Sequence, residues 1–401
     1  MTQKAPGRGP WARKPRRRAL VVGIALLVLV LAAGSAYVAW TFSDRVIVPR
    51  PYALMPEFEV IAAAGGTVTL PTPASDVQHA NTRAVGTYGL LWEGGHALLG
   101  EITSDDGATV TRGLELVSGL APAAGAPARL DNFVYRRDPL ADLGLPFEDL
   151  NLPGEVGNLR AWFVPADGGT AVLLLHGRRR GELIETLRMI PALNELGLSV
   201  LALSYRNHSG SDPSPDGFYH YGASEWQDAL TGARYLAQRG FDRVLLYGLS
   251  MGGAVALEAL QRWPADLPEP VGLILDSPLI DAIATVRLGA ERAGLPLPGL
   301  LTRLALSAAR LRTGVDFAAL RQAEDAQLIP VPVMLVAGTA DTTIPIAAVD
   351  AFADRVRTPL SYYRLEGVEH VEAWNRDPTT YAARLRLFVA SLEVRARATG
   401  P

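Results

Sequence analysis

The stretch "RVLLYGLSMGGAVALEAL", Arg243 to Leu260, decides how this chain is read. Its first residues form an apolar run of strand type. From Met251 onward, the apolar residues fall at helical spacing. One polar residue, Ser250, stands at the junction, flanked by Gly248, Gly252 and Gly253. A serine on so tight a strand-to-helix turn is held in a strained backbone conformation. Gly248 and Gly252 let strand, turn and helix approach without Cβ clashes. The turn lifts the hydroxyl to a helix N-terminus, where backbone N–H groups face incoming negative charge. The pattern G-x-S-x-G in this context predicts a nucleophile elbow.

Outward from this stretch, short apolar runs alternate with helical segments. "LRAWFV" (159–164), "AVLLLH" (171–176), "SVLALSY" (199–205), "VGLILD" (271–276), "VPVMLVAG" (331–338) and "LSYYRLEG" (360–367) read as strands. Helices are predicted over 182–196, about 223–239, 251–263, near 347–357 and about 378–394. Strands apolar on both faces, alternating with helices, predict a mostly parallel sheet with helices on both sides. Ligands of such sheets bind at the carboxyl ends of the strands.

A serine hydroxyl needs a base. The chain has six histidines. His370, in "LEGVEHVEAW", follows a late strand and is the expected base. His176 ends a strand beside Gly177 and is read as shaping its turn. His208 and His220 follow an earlier strand. His79 and His96 lie far upstream without metal-ligand spacing, so no metal site is expected. An imidazole needs an anion to fix its tautomer. Asp341, in "VMLVAGTADTTIP", is the expected acid. Asp276 is its competitor and is read as a hydrogen-bonded turn residue. The N–H groups of Met251 and of Arg178, the latter in "LLLHGRRRG", are the expected oxyanion donors. Arg178, Arg179 and Arg180 read mainly as a solvated charge run.

From about Leu159 to Leu392 the chain resembles the α/β-hydrolase superfamily. "HGRRRG", "SYRNHSGSD", "GLSMGG", "GTADTTIP" and "GVEHVEAW" match its oxyanion, post-strand, nucleophile, acid and base segments in order. The nearest look is of serine hydrolases of the dienelactone-hydrolase or acyl-peptidase-like type. The resemblance implies acyl transfer to water with no cofactor or metal. It also implies a helical cap, expected over about 278–329, whose apolar run near Leu295 to Leu306 points to an apolar group on the substrate. Glu369, before the base, replaces the family's usual small residue. There it would raise the basicity of His370 or narrow the site.

Composition limits the alternatives. The chain has 401 residues and no cysteine, which excludes disulfides and thiolate chemistry. Its net charge is −3. The first 18 residues carry +7, leaving −10 on the rest, an acidic body that speaks against nucleic acid as a partner. Lys4 and Lys14 are the only lysines, so no serine–lysine dyad can form in the folded part.

Residues 19–40, "ALVVGIALLVLVLAAGSAYVAW", carry no charge. At 1.5 Å per residue they extend roughly 33 Å, enough for a hydrocarbon core of about 30 Å. The basic stretch 1–18 before them predicts a single-pass helix with its N-terminus cytoplasmic and the body outside. A cleaved signal peptide is the alternative, and it also exports the body. Residues 45–150 read as a small β-rich region, with "GLAPAAGAPARL" (119–130) as a flexible joint, followed by the α/β domain over 155–398. Taken together, the expectation is a membrane-anchored serine esterase acting on a small-molecule acyl substrate. Amide or peptide hydrolysis, acyl transfer to another acceptor, and a catalytically silent binding module are the alternatives. The sequence does not give the oligomeric state.

Overall fold

The computed structural model describes residues 14–50, 55–72, 81–178, 183–320 and 322–398. The start of the basic tail, His79, Arg179 and Arg180 lie outside them.

The seven runs read as strands, with Glu148–Pro153 added at one edge, assemble into one eight-stranded sheet. From one edge its order is Leu360–Leu365, Val333–Gly338, Glu269–Asp276, Arg243–Leu249, Thr170–Leu175, Ser199–Leu203, Asn158–Val164 and Glu148–Pro153. The first six are mutually parallel, and the last two pair antiparallel. Beyond their first residues the central strands are buried, because each face is covered by its own apolar cluster. Arg243–Leu249 lies between Thr170–Leu175 and Glu269–Asp276. The turns carrying Gly177, Ser250, Asp276, Asp341 and His370 therefore open on one edge of the sheet.

Three boundaries differ from the sequence reading. The predicted helix 182–196 is a 3-10 turn, Leu183–Thr186, followed by a short helix, Ile190–Asn194. Pro191 lacks an N–H and crowds the carbonyl four residues back, so it can only open a helix there. The boundary expected near 150 cuts through Glu148–Pro153, which pairs with Asn158–Val164 as the edge of the main sheet. The β-rich part is a separate seven-stranded sheet within Phe58–Asp131. Nor is 119–130 a joint. Its end belongs to the strand Pro127–Asp131, which pairs with both Phe58–Glu59 and Tyr88–Trp92.

The small sheet docks on the loop that carries His370. Thr87 N donates to Asn375 O at 2.8 Å. The Asn375 amide donates to Thr87 O and Asn132 O, both at 2.8 Å. Tyr88 Oη donates to Glu372 at 2.9 Å. Gly86 permits this approach, since a Cβ there would lie 2.0 Å from Asn375 O. Asn375 is fully buried and also accepts from the buried Arg188, which in turn holds the Val371 carbonyl. Asn375→Ala strips partners from two carbonyls and a guanidinium at once. It is expected to lower stability by about 3 kcal/mol in urea unfolding.

The N-terminal helix runs from Lys14 to Ile47, beyond the expected 19–40. It is long and apolar enough to cross a membrane. Its last turns are not a tether. Ala39, Phe42, Ser43, Val46 and Ile47 are buried, and Val46 and Ile47 belong to the core of the α/β domain. Asp44 pairs with Arg312 at 2.6 Å. The helix ends where its free carbonyls find donors. Arg178 Nη1 binds Arg45 O at 3.1 Å and Val46 O at 2.7 Å, and Tyr219 N binds Ile47 O at 2.8 Å. A cation at a helix C-terminus also suits the helix dipole.

Candidate active site

Ser250 sits between the strand Arg243–Leu249 and the helix Met251–Gln261, with φ 51° and ψ −115°. This positive φ in a non-glycine residue is the strain expected of an elbow. The surrounding glycines are sterically required. A Cβ on Gly252 would lie 2.2 Å from Leu175 O and 2.6 Å from His176 O, and one on Gly248 would lie 2.5 Å from Gly252 O. All of these are backbone atoms and cannot move aside. Gly252→Ala is expected to cost about 3 kcal/mol in chemical denaturation. It should also lower turnover by pushing the 175–178 loop off the serine.

The structure brings Ser250, His370 and Asp341 together. His370 Nε2 lies 2.9 Å from Ser250 Oγ, and its Nδ1 lies 2.7 Å from Asp341 Oδ2. Asp341 is itself held in place. Its Oδ1 accepts from Thr343 N at 2.8 Å and Ile344 N at 2.7 Å, which leaves Oδ2 for the imidazole. Burial disfavours the charged imidazole, but the charge and hydrogen bond of Asp341, with Glu185 and Asp276 farther off, outweigh it. The His370 pKa is therefore raised above its ordinary value. The next residue, Val371, has φ 57° and is pinned through its N–H by Ser277 Oγ at 3.0 Å. A β-branched residue rarely adopts this conformation, so the base loop is held by its contacts.

The loop after Thr170–Leu175 closes over the serine. A Cβ on Gly177 would be 3.2 Å from Ser250 Cβ. The Gly177 N–H is already engaged, donating to Glu185 at 2.6 Å. That leaves the Arg178 N–H as the loop's candidate oxyanion donor. Met251 N, first in its helix, has no carbonyl four residues back to bind. The Arg178 side chain does not form a solvated charge run. It turns away to the end of the N-terminal helix and to Tyr221 Oη at 2.7 Å.

The other histidines have other partners. His176 is buried and stacks on Tyr205, ring centroids 4.5 Å apart, and burial pulls its pKa down to about 4. His208 lies edge-on to both rings and shares a bond with Arg206 O. His220 bonds Asp216 and Ser224. His96 is buried in the small sheet, where desolvation lowers its pKa. Asp276 is fully buried, accepts from Tyr381 Oη at 2.8 Å and Ser277 Oγ at 3.1 Å, and has its pKa raised by burial. Glu369 joins two loops. Its carboxylate accepts from Thr342 N and Oγ1, both at 3.1 Å, and from His370 N at 3.0 Å, tying the acid loop to the base loop. Glu185 went unnoticed in the sequence. It lies in an irregular segment with no motif, and only folding places its buried carboxylate behind the oxyanion loop.

Comparison with known proteins places this arrangement. Residues 59–131 match a family described only as a domain of unknown function. A stretch of the multifunctional-autoprocessing repeats-in-toxin of Vibrio cholerae is 31% identical over 148 residues, 33% of this chain. The match spans only 3% of that toxin's length. The uncharacterized protein Rv2307c of Mycobacterium tuberculosis is 28% identical over 245 residues, covering 59% of this chain and 76% of that one. A carboxylesterase of Bacillus subtilis is 33% identical over 92 residues, 23% of this chain and 36% of that protein. Among solved structures, the Pyrococcus furiosus esterase Pf2001 superposes with a TM-score of 0.51 at 22% identity. That superposition covers 65% of this chain and 95% of the esterase. The alpha/beta hydrolase family model matches residues 172–393, more than half of the sequence, and the chain belongs to the α/β-hydrolase family.

Proposed function

We propose that this protein is a membrane-anchored serine hydrolase that cleaves a carboxylic ester through an acyl-enzyme. The observation that carries the reading is the hydrogen-bonded line from Ser250 through His370 to Asp341, with bonds of 2.9 and 2.7 Å, at a strained elbow. Ser250 Oγ attacks the ester carbonyl carbon while its proton passes to His370 Nε2. The carbonyl oxygen takes up negative charge and accepts the Met251 and Arg178 N–H groups. Collapse breaks the C–O bond, and the leaving alcohol takes the proton from His370. Water then attacks the acyl carbon with His370 again accepting its proton, the C–Oγ bond breaks, and His370 returns the proton to Ser250 Oγ as the acid is released. Asp341 holds Nδ1–H and stabilises the imidazolium. The match to a named carboxylesterase favours an ester as the bond.

The test uses the full chain in detergent micelles with p-nitrophenyl esters of increasing acyl length. Hydrolysis together with labelling of Ser250 by a fluorophosphonate supports the reading. Labelling with no ester turnover keeps the nucleophile and removes the ester. Absence of both overturns the proposal. Added alcohol that diverts product from acid to a new ester would make the enzyme a transferase.

A further inference from the structure

The cap is a hairpin of two helices, Ala282–Arg292 and Pro298–Thr313. We infer that its tip is a second membrane contact, docking on an anionic bilayer surface beside the N-terminal helix. The inference rests on the reading of that helix as a membrane anchor.

Three independent features meet at the tip. The first is direction. Val46 and Ile47, at the end of the N-terminal helix, share a core with Ala282 and Ala309 at the base of the hairpin. Phe42, about one turn earlier, clusters with Ala290 and Ala305, and Leu295 packs against them nearer the tip. Moving outward along the hairpin thus follows the anchor helix back toward its uncovered aliphatic stretch. The next level of the anchor carries Tyr37, 71% exposed, while Trp40, 52% exposed, lies under the Arg312 guanidinium at 4.6 Å. Aromatic side chains of this kind mark the headgroup zone of a bilayer.

The second is surface chemistry. Residues 293–302, "AGLPLPGLLT", contain no charge, and Leu297 and Leu300 are 70% and 50% exposed. Leu297 has φ 50°, a left-handed conformation unfavourable for a branched non-glycine side chain. It is held between Pro296 and Pro298 and kept turned outward. The apolar run that the sequence offered as a pocket lining is therefore divided: Leu295 and Leu306 pack inward, while Leu297 and Leu300 face out.

The third is charge. Arg292 and Arg303 flank the uncharged tip, while Arg287 pairs with Glu291, Arg310 with Asp316 and Arg312 with Asp44. The chain beyond residue 18 is −10 as a whole, so this basic flank sits in a body that is otherwise strongly acidic. An apolar tip flanked by arginines suits a surface of anionic lipid, where basic residues add to apolar insertion. From Tyr37 to Val46 the helix rises about 14 Å. Val46 O is bound by Arg178, the candidate oxyanion residue, so this docking would hold the mouth of the site close to the headgroups.

The absence of cysteine allows a direct test. Leu297→Cys, Val30→Cys and Leu387→Cys are each labelled with an environment-sensitive fluorophore in the full chain. Each is reconstituted in phosphatidylcholine vesicles with and without phosphatidylglycerol, with doxyl lipids as quencher. Val30 reports the anchor, and Leu387 an exposed leucine of the C-terminal helix. The expected result is quenching at 297 comparable to that at 30, stronger with phosphatidylglycerol, and none at 387. In the 297 label, Arg292→Glu with Arg303→Glu is expected to remove the phosphatidylglycerol dependence and leave Val30 unchanged. Quenching at 30 but not at 297 overturns the inference and leaves the anchor standing. Quenching at neither site overturns both. A 297 label that is shielded without doxyl quenching assigns the tip to a protein partner and also overturns the inference.

Discussion

Ser250→Ala is expected to lower kcat on p-nitrophenyl esters by about 10⁶-fold, the scale of removing a hydrolase nucleophile, and to abolish fluorophosphonate labelling. The fold should survive. Ser250 makes no side-chain cap to its helix, so that helix loses nothing. Alanine at φ 51° carries the same backbone strain as serine. The substitution removes the 2.9 Å hydrogen bond to His370, which serves the chemistry and not the fold. The check is steady-state kinetics beside a thermal unfolding curve. Residual activity within about tenfold of the parent, with an unchanged melting temperature, would remove Ser250 from the chemistry.

Asp341→Asn is the second large effect, expected at about 10⁴-fold in kcat. The local geometry gives the reason. Asp341 Oδ1 accepts from Thr343 and Ile344, so an asparagine oxygen will stay there to satisfy the same two N–H groups. The new NH₂ then faces His370 Nδ1 and donates to it. This forces the proton onto Nε2, the tautomer that cannot accept from Ser250. The pH profile should move as well. The active base is the neutral imidazole, so kcat/KM in the parent rises with pH through a pKa above the ordinary 6.5. Burial lowers that pKa and the Asp341 charge raises it. Removing the charge leaves burial, and the ascending limb shifts to lower pH. An unmoved limb in Asp341→Asn, with a moved one in Asp276→Asn, would reassign the acid to the buried carboxylate.

Much of the α/β domain was legible because its signals are local. Strands buried on both faces must be apolar throughout. An elbow has to be small on either side of its nucleophile, which is why Gly248 and Gly252 flank Ser250. Chain order alone put Asp341 and His370 after late strands, and the fold brings them to the same edge as Ser250. Other features carry no local signature. Glu185 approaches Gly177 only because an irregular turn folds back beneath it, and Asn375 is one asparagine among several until the small sheet docks on it.

Spacing and polarity along the chain were enough to specify the hydrolase scaffold, the three side chains that line up, and a helix long and apolar enough to cross a bilayer. They were not enough to show that this helix ends inside the core of the α/β domain, with its carbonyls held by Arg178. Nor did they give Glu369 its place between two loops or dock the small sheet against the base loop. Those contacts join residues far apart in sequence, and nothing in the chemistry of one partner names the other until the chain has folded.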